Sequence, residues 1–399
     1  MTEKGGILVT HPGRQHSHQA ALALQGEGML AGYWSGVPAV AGAGRRLPAF
    51  LRRRFARYGP VPLDPGRVRW FPWTPALRRA GDALLPAGAA AWNDFLACRL
   101  FDRWTAAGLQ RSGATAVIAC EISALATFRE AKRLGLTTLL DAPSIHHAAQ
   151  DRLHGTGDPP ALHQRIAAVK DGEIALADHV LTVSELARQT YLEAGVPPEK
   201  VHAVDLGADL ELFAPVPGEE PAEDGFAFLF AGATIRRKGF DLLLQAFDRV
   251  AAAEPAARLR IAGPRGDLGH LLDGRAPDRI AFLGPRTQGE LATELRRADC
   301  LVLPSRNDSY AMVVPEALAS GLPVLISEMV GAKGLVTEGK TGWIVPVEDA
   351  DALAERMAWC LRHRDAVRAM RPCCRHAAEA ATWPAYARRF TELVGSLVA

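Results

Sequence analysis

The 399-residue sequence has little cysteine, and the six it has never fall in a C-x-x-C spacing. Cys98, Cys120, Cys300, Cys360, Cys373 and Cys374 argue against a disulfide framework or a zinc knuckle, and for reduced thiols in a cytosolic protein. Net charge is also scarce. Forty-six Lys and Arg against 44 Asp and Glu leave +2, which speaks against a nucleic-acid binder. No apolar run approaches the ~18 residues of a membrane-spanning helix. The opening MTEKGGILVTHPG lacks the apolar core and cleavage site of a secretory signal, so a cytoplasmic location is expected. Tandem repeats and low-complexity blocks are missing too.

What is present is a globular composition, 48% hydrophobic and 23% charged, over a length that favours two cores. Short apolar runs at 5–10, 116–120, 137–141, 179–183 and 201–204 read as strands. Helical patterns separate them at 17–25, 129–133 and 160–177, and Ser184 is a natural cap for a further helix carrying Ala187 and Tyr191 on one face. Strands alternating with helices predict a parallel, doubly wound α/β sheet. The segment 213–225, FAPVPGEEPAEDG, is rich in proline, glycine and acid and reads as a linker. A second α/β series follows, with strands expected at 227–231, 259–262, 280–283, 300–303, 324–327 and 343–345. The expected domains are 1–212 and 226–380, facing each other across a cleft, with ligands at the carboxyl ends of the strands.

Two stretches of the second half carry chemistry. AGATIRRKGFDLLLQAF (231–247) places Arg236, Arg237 and Lys238 before an amphipathic helix, where free amides and the helix dipole add positive potential. That suits a diphosphate; a solvated basic turn is the plainer reading. PSRNDSYAMVVPEALASGLPVL (304–325) puts Asp308 and Glu316 around a turn and a short helix, with Pro315 in its first turn and Gly321 at its end. Glu316 there would accept two ribose hydroxyls, amides around 311–313 would meet a phosphate, and Asp308 would hold a sugar hydroxyl. Alternatively Glu316 answers the helix dipole and Asp308 is a turn residue.

The second stretch resembles the carboxylate signature of retaining glycosyltransferases with two Rossmann-like domains, the GT-B fold, and specifically family 4 (glycosyl transferases group 1). That family carries Glu, seven residues, then Glu. EIALADHVLTVS (173–184), Gly207-Ala-Asp209, Arg237-Lys238-Gly239, KTGWIVPVEDADALAERM (340–357) and Trp383-Pro-Ala-Tyr386 extend the likeness over much of the chain. The resemblance implies that Arg237 and Lys238 hold the diphosphate of a UDP- or GDP-linked sugar. It implies that Ser309, Tyr310, Ala311, Met312 and Val313 line the donor, that Glu316 holds the ribose and that Asp308 holds the transferred sugar. It also implies that residues 381–399 form a helix crossing back to the first domain. Three positions depart from the pattern: Asp308 stands for Glu, Ala311 for Gly and Ala233 for Arg. These motivate a rival reading, a nucleotide-sugar-binding protein without catalysis. A nucleotide-sugar epimerase or a phosphorylase on the same fold are others.

In the first half, the resemblance places Gly13 against donor phosphate and acceptor, and a histidine loop at 141–150, with His146 facing the reacting sugar. A surface loop histidine is the plainer reading of His146. His11, His16 and His18 read as a polar rim of the cleft more than as a metal site, since i and i+2 diverge on a helix. Glu121 touches an acceptor or caps a helix. Asp349-Ala-Asp351 spells a metal-binding D-x-D but reads as a helix cap, and no metal or cofactor is expected beyond the donor. Residues 44–80 hold ten arginines and one aspartate, interleaved with Phe50, Phe55, Trp70, Phe71 and Trp73. That segment is either an acidic-membrane contact for a lipid-linked acceptor or an ordinary arginine-rich insertion. A glycan or small-molecule acceptor is equally compatible.

Overall fold

The computed structural model describes residues 6–37, 60–153, 158–219, 221, 225–275 and 278–398. The expected membrane segment therefore lies partly outside the described residues, with Phe50 and Phe55 among those not covered.

Seven parallel strands form the first sheet. They are β1 (Gly6–His11), β2 (Leu30–Ser35), β3 (Val68–Trp70), β4 (Ala114–Cys120), β5 (Thr137–Ala142), β6 (His179–Thr182) and β7 (Val201–Ala203). Their order is β3-β2-β1-β4-β5-β6-β7. Six more form the second: β8 (Phe226–Ala231), β9 (Ala257–Ala262), β10 (Ile280–Gly284), β11 (Cys300–Leu303), β12 (Val324–Ser327) and β13 (Gly342–Val345), ordered β10-β9-β8-β11-β12-β13. In each sheet the strand order reverses beside the first strand, which opens a crevice at the carboxyl ends. Both faces of the central strands are covered, so Ile7, Leu8 and Val9 of β1 and Phe228, Leu229 and Phe230 of β8 are all buried.

Helix starts show where polar groups went. The helix Leu125–Leu134 begins on Ala124, which has no side-chain acceptor. Two buried acids from other helices supply one: Glu173 accepts the amides of Ile122, Ala124 and Leu125, and Asp102 those of Ala126 and Thr127. Ser184 caps the helix Glu185–Glu193 through Ala187 N–H at 3.1 Å, as its sequence position predicts. Asp349 accepts the amides of Asp351 and Ala352 and opens the helix Ala350–Arg362, the capping role expected for the D-x-D triplet.

Two strands and two helices depart from the expectation. LAGYWS of β2 and VRW of β3 lack a β-branched run, and both take their place only by pairing with β1 and with each other. The helix Trp73–Leu84 begins inside the arginine-rich segment 44–80, and the helix Ala87–Leu109 occupies sequence for which no element was expected. At the far end the helix Trp383–Leu397 packs on the helix Ser17–Gly26 of the first sheet. Ala208 N–H donates to Ala381 O at 2.8 Å where the chain returns.

Candidate functional site

The carboxyl ends of both sheets face a cleft of about 800 Å³. Arg237, Lys238, residues 307–312 and Glu316 line it from the second sheet; Gln15, His16, His18 and Gln19 line it from the first.

The basic turn after β8 is held by the loop after β11. Arg306 is 3% exposed and stitches the two together. Its amide donates to Arg237 O at 2.9 Å, and its guanidinium donates to Arg236 O at 2.6 Å and bidentately to Asp241 at 2.6 and 2.9 Å. Glu348 takes the remaining fork. Arg237 Nη1 donates to Asn307 O at 3.1 Å, and Lys238 Nζ is ion-paired with Asp308 Oδ2. Gly239 ends this turn at φ +68°, and a Cβ there would lie 1.9 Å from Pro304 O. Gly239→Ala is therefore expected to pry the two loops apart. It should cost more than about 2 kcal/mol, read as a lower midpoint in chemical denaturation.

The run from Asp308 is equally constrained. Asp308 N–H donates to Met329 O, and Asp308 O and Tyr310 O accept from Gly331 and Ala332. Two of its groups are committed across the domains: Tyr310 Oη donates to Leu206 O at 2.6 Å, and Ser184 Oγ donates to Ser309 O. Tyr310 and Ser309 thus tie the loop to the first domain as well as lining the cleft. Ala311 adopts φ +66°, the left-handed region, immediately before Met312 and the helix Val313–Ala319. An L-residue pays about 1–2 kcal/mol there. Ala311→Gly is expected to raise stability by about 1 kcal/mol, a Tm increase of about 2–4 °C by calorimetry.

Glu316 projects from the first turn of that helix into the cleft and is only 8% exposed. No hydrogen bond or ion pair reaches its carboxyl from the described residues. Burial alone pushes its pKa up to about 8. A desolvated carboxyl without donors, on a ligand-sized cleft, is the feature of this wall that most needs a partner.

On the opposite wall His16 Nε2 lies 3.0 Å from Asp141 Oδ1, both side chains 11% exposed. Burial works against charge on both. The pair nonetheless raises the His16 pKa and lowers that of Asp141, so imidazolium and carboxylate sustain each other. His11, behind them, is held neutral by burial, with its pKa lowered to about 4, and accepts Gly13 N–H at Nδ1. Gly13 itself serves this turn and does not line the cleft. His146 is not on the cleft wall either. It packs edge-on against Tyr191 and beside His147, whose Nε2 is 2.7 Å from Asp171. The loop presents Ser144, Ile145 and Gln150 to the cleft instead. Glu121 is bonded to Ser144 and Lys170. The His16–Asp141 pair escaped sequence reasoning because its members are 125 positions apart; His16 opens the helix after β1 and Asp141 lies at the end of β5, with β4 between those strands.

Residues 225–363, which carry the basic turn and the Asp308–Glu316 stretch, match the family model described as Glycosyl transferases group 1. The match lies within the second domain, and that domain is similar to this family. The chain is 34% identical over 211 residues to a D-inositol 3-phosphate glycosyltransferase of Streptomyces bingchenggensis, covering 48% of this chain and 46% of the relative. A second such enzyme, from Catenulispora acidiphila, is 33% identical over 222 residues, 49% and 51% of the two chains. The chain thus spans about half the length of the curated relatives it matches. Over its whole fold it resembles the sucrose-phosphate synthase of Thermosynechococcus elongatus, with TM-score 0.73 and 20% identity over 98% of this chain and 99% of that one. HepE of Anabaena, solved in complex with UDP, follows with TM-score 0.68 and 15% identity over 98% and 100%. The two facing parallel sheets are a GT-B fold. Among the described residues, no helix is long and apolar enough to cross a membrane.

Proposed function

We propose that the chain is a retaining glycosyltransferase that moves a sugar from a nucleoside diphosphate to a hydroxyl acceptor. The observation that carries this is the unpartnered, buried Glu316 carboxyl beside Lys238 and Arg237 on one wall of the cleft. Glu316 would accept the ribose hydroxyls, and Arg237 and Lys238 would hold the diphosphate. Asp308 would turn from Lys238 to the transferred sugar. The bond between the sugar's anomeric carbon and the diphosphate oxygen breaks, and the acceptor oxygen bonds to that carbon on the same face. The acceptor's proton passes to the departing phosphate oxygen. Lys238, Arg237 and the amides at 311–313 stabilise the charge gathering on that oxygen. They supply the positive charge needed, and the reading calls on no divalent ion.

The relatives' names and the UDP held by HepE support a nucleotide-sugar donor. The acceptor would lie against the first-domain wall, near His16 and Gln19. Trp73 is 62% and Leu84 79% exposed on the helix Trp73–Leu84, in which the arginine-rich sequence 44–80 ends, which supports a peripheral contact with an acidic membrane and a lipid-linked acceptor. Titration calorimetry with UDP, GDP and ADP tests the donor assignment. One nucleotide is expected to bind clearly above the other two; no binding by any of them would refute the donor site.

A further inference from the structure

A second cavity, of about 310 Å³, opens at the other end of the second sheet. Its wall is made where β8, β9, β10 and β11 begin, with Arg258, Arg260, Arg279 and Arg297 set around Asp278 and Asp299. Ligands of doubly wound sheets gather at the carboxyl ends of strands, so this pocket is no extension of the cleft.

Its charge is unbalanced. Asp299 is already spent: its side chain is 1% exposed, accepts Ala227 N–H at 2.8 Å and pairs with Arg368 at 2.7 Å. Arg260 is paired with Glu294, yet its Nε is buried with no acceptor. Arg258 reaches only backbone, Pro255 O at 2.7 Å and Ala257 O at 3.0 Å. Arg279 reaches Ala251 O at 3.0 Å. Arg297 is exposed on the rim. Among the described residues none of Arg258, Arg279 and Arg297 has a carboxylate partner. Against these three guanidiniums the pocket sets only the exposed Asp278 carboxylate, so they still repel one another, and an orphaned buried N–H costs stability of its own. Both are relieved by one group, an anion with several oxygens that match the planar forks.

We propose that this pocket binds a small phosphate-bearing anion, independently of the donor cleft. A free diphosphate and a phosphorylated sugar share the recognising chemistry. The cavity, at about 310 Å³, has room for either.

The test is titration calorimetry on the full chain carrying Lys238→Ala, which takes away the cation of the cleft. Inorganic pyrophosphate and glucose 6-phosphate are the two probes. Binding of at least one is expected to survive in that background, and to fall at least about tenfold when Arg258→Ser and Arg279→Ser are added. Tighter binding of pyrophosphate would identify a free diphosphate as the ligand; tighter binding of the sugar phosphate would identify an ester. Arg297→Gln alters only an exposed rim side chain, so it should fold normally, and it is expected to weaken binding about threefold or more. Loss of all binding in the Lys238→Ala chain would overturn the proposal, as would unchanged affinity in Arg297→Gln.

Discussion

Lys238→Ala is expected to lower turnover of the nucleotide-sugar by about 10²–10³-fold, the scale on which a single preorganised oxyanion donor matters. The side chain is largely withdrawn from solvent, 16% exposed, and aimed into the cleft from a turn that Arg306 locks from below. On the proposed reading it would therefore meet charge without having to be reorganised when the leaving oxygen becomes anionic. Its partner in the unliganded chain is Asp308. That pairing predicts an asymmetry between variants. Removing Lys238 leaves Asp308 without its counter-ion and would deprive a bound diphosphate of its cation, so affinity for the nucleoside diphosphate and kcat should fall together. Asp308→Asn frees Lys238 for the diphosphate, so nucleotide should bind at least as well as in the wild type while transfer is lost. Calorimetry with the preferred nucleotide, beside initial rates of sugar transfer, separates the two. If Lys238→Ala keeps wild-type rates, the diphosphate does not sit where the turn after β8 points.

The same pair marks where sequence reading reached and where it stopped. Among the described residues, eleven of the thirteen strands announce themselves as apolar runs because a doubly wound sheet buries both faces, and a buried run such as FAFLFA needs no context to be read. The other two, β2 and β3, are edge-side strands whose residues are strand-forming only through their neighbours. Within the site, Asp308, Lys238 and Glu316 were legible as residues that end strands or begin helices, and the cleft brings them together. Their relations were not legible. Nothing local indicates that the Lys238 ammonium would lie on Asp308, 70 positions away, or that Tyr310 would spend its hydroxyl on Leu206 O. His146 shows the reverse failure. The loop is in place, but a side chain one position off presents Ile145 to the cleft and turns His146 toward Tyr191. A displacement of one residue in a loop carries no sequence signal, because no period fixes it.

Glu316→Gln is expected to make the chain more stable and less able to bind nucleotide, with the gain in stability depending on pH. In the folded chain the Glu316 carboxyl keeps its proton to about pH 8; an unburied glutamate loses it near 4.5. Between those values the native state binds more protons than the unfolded state, so wild-type stability falls as pH rises through this window and levels off above it. Glutamine has no proton to lose. The variant should match the wild type near pH 5 and exceed it by on the order of 3 kcal/mol at pH 8.5, since each pH unit of that window is worth about 1.4 kcal/mol before the folded chain relaxes around the charge. In a melting experiment that is a Tm difference of about 6–12 °C, opening as pH rises. Binding runs the other way. Ribose hydroxyls donating to Glu316 favour its ionised form, so nucleotide binding at pH 7 should expel up to one proton, and affinity should rise with pH until about 8. Calorimetry in two buffers of different ionisation heat reads the expelled proton directly, and Glu316→Gln should abolish it while weakening binding about tenfold or more. Equal affinity and no proton release in either chain would mean that the ribose is held elsewhere. A stability gain without a binding loss would make Glu316 a burial cost with no ligand to justify it.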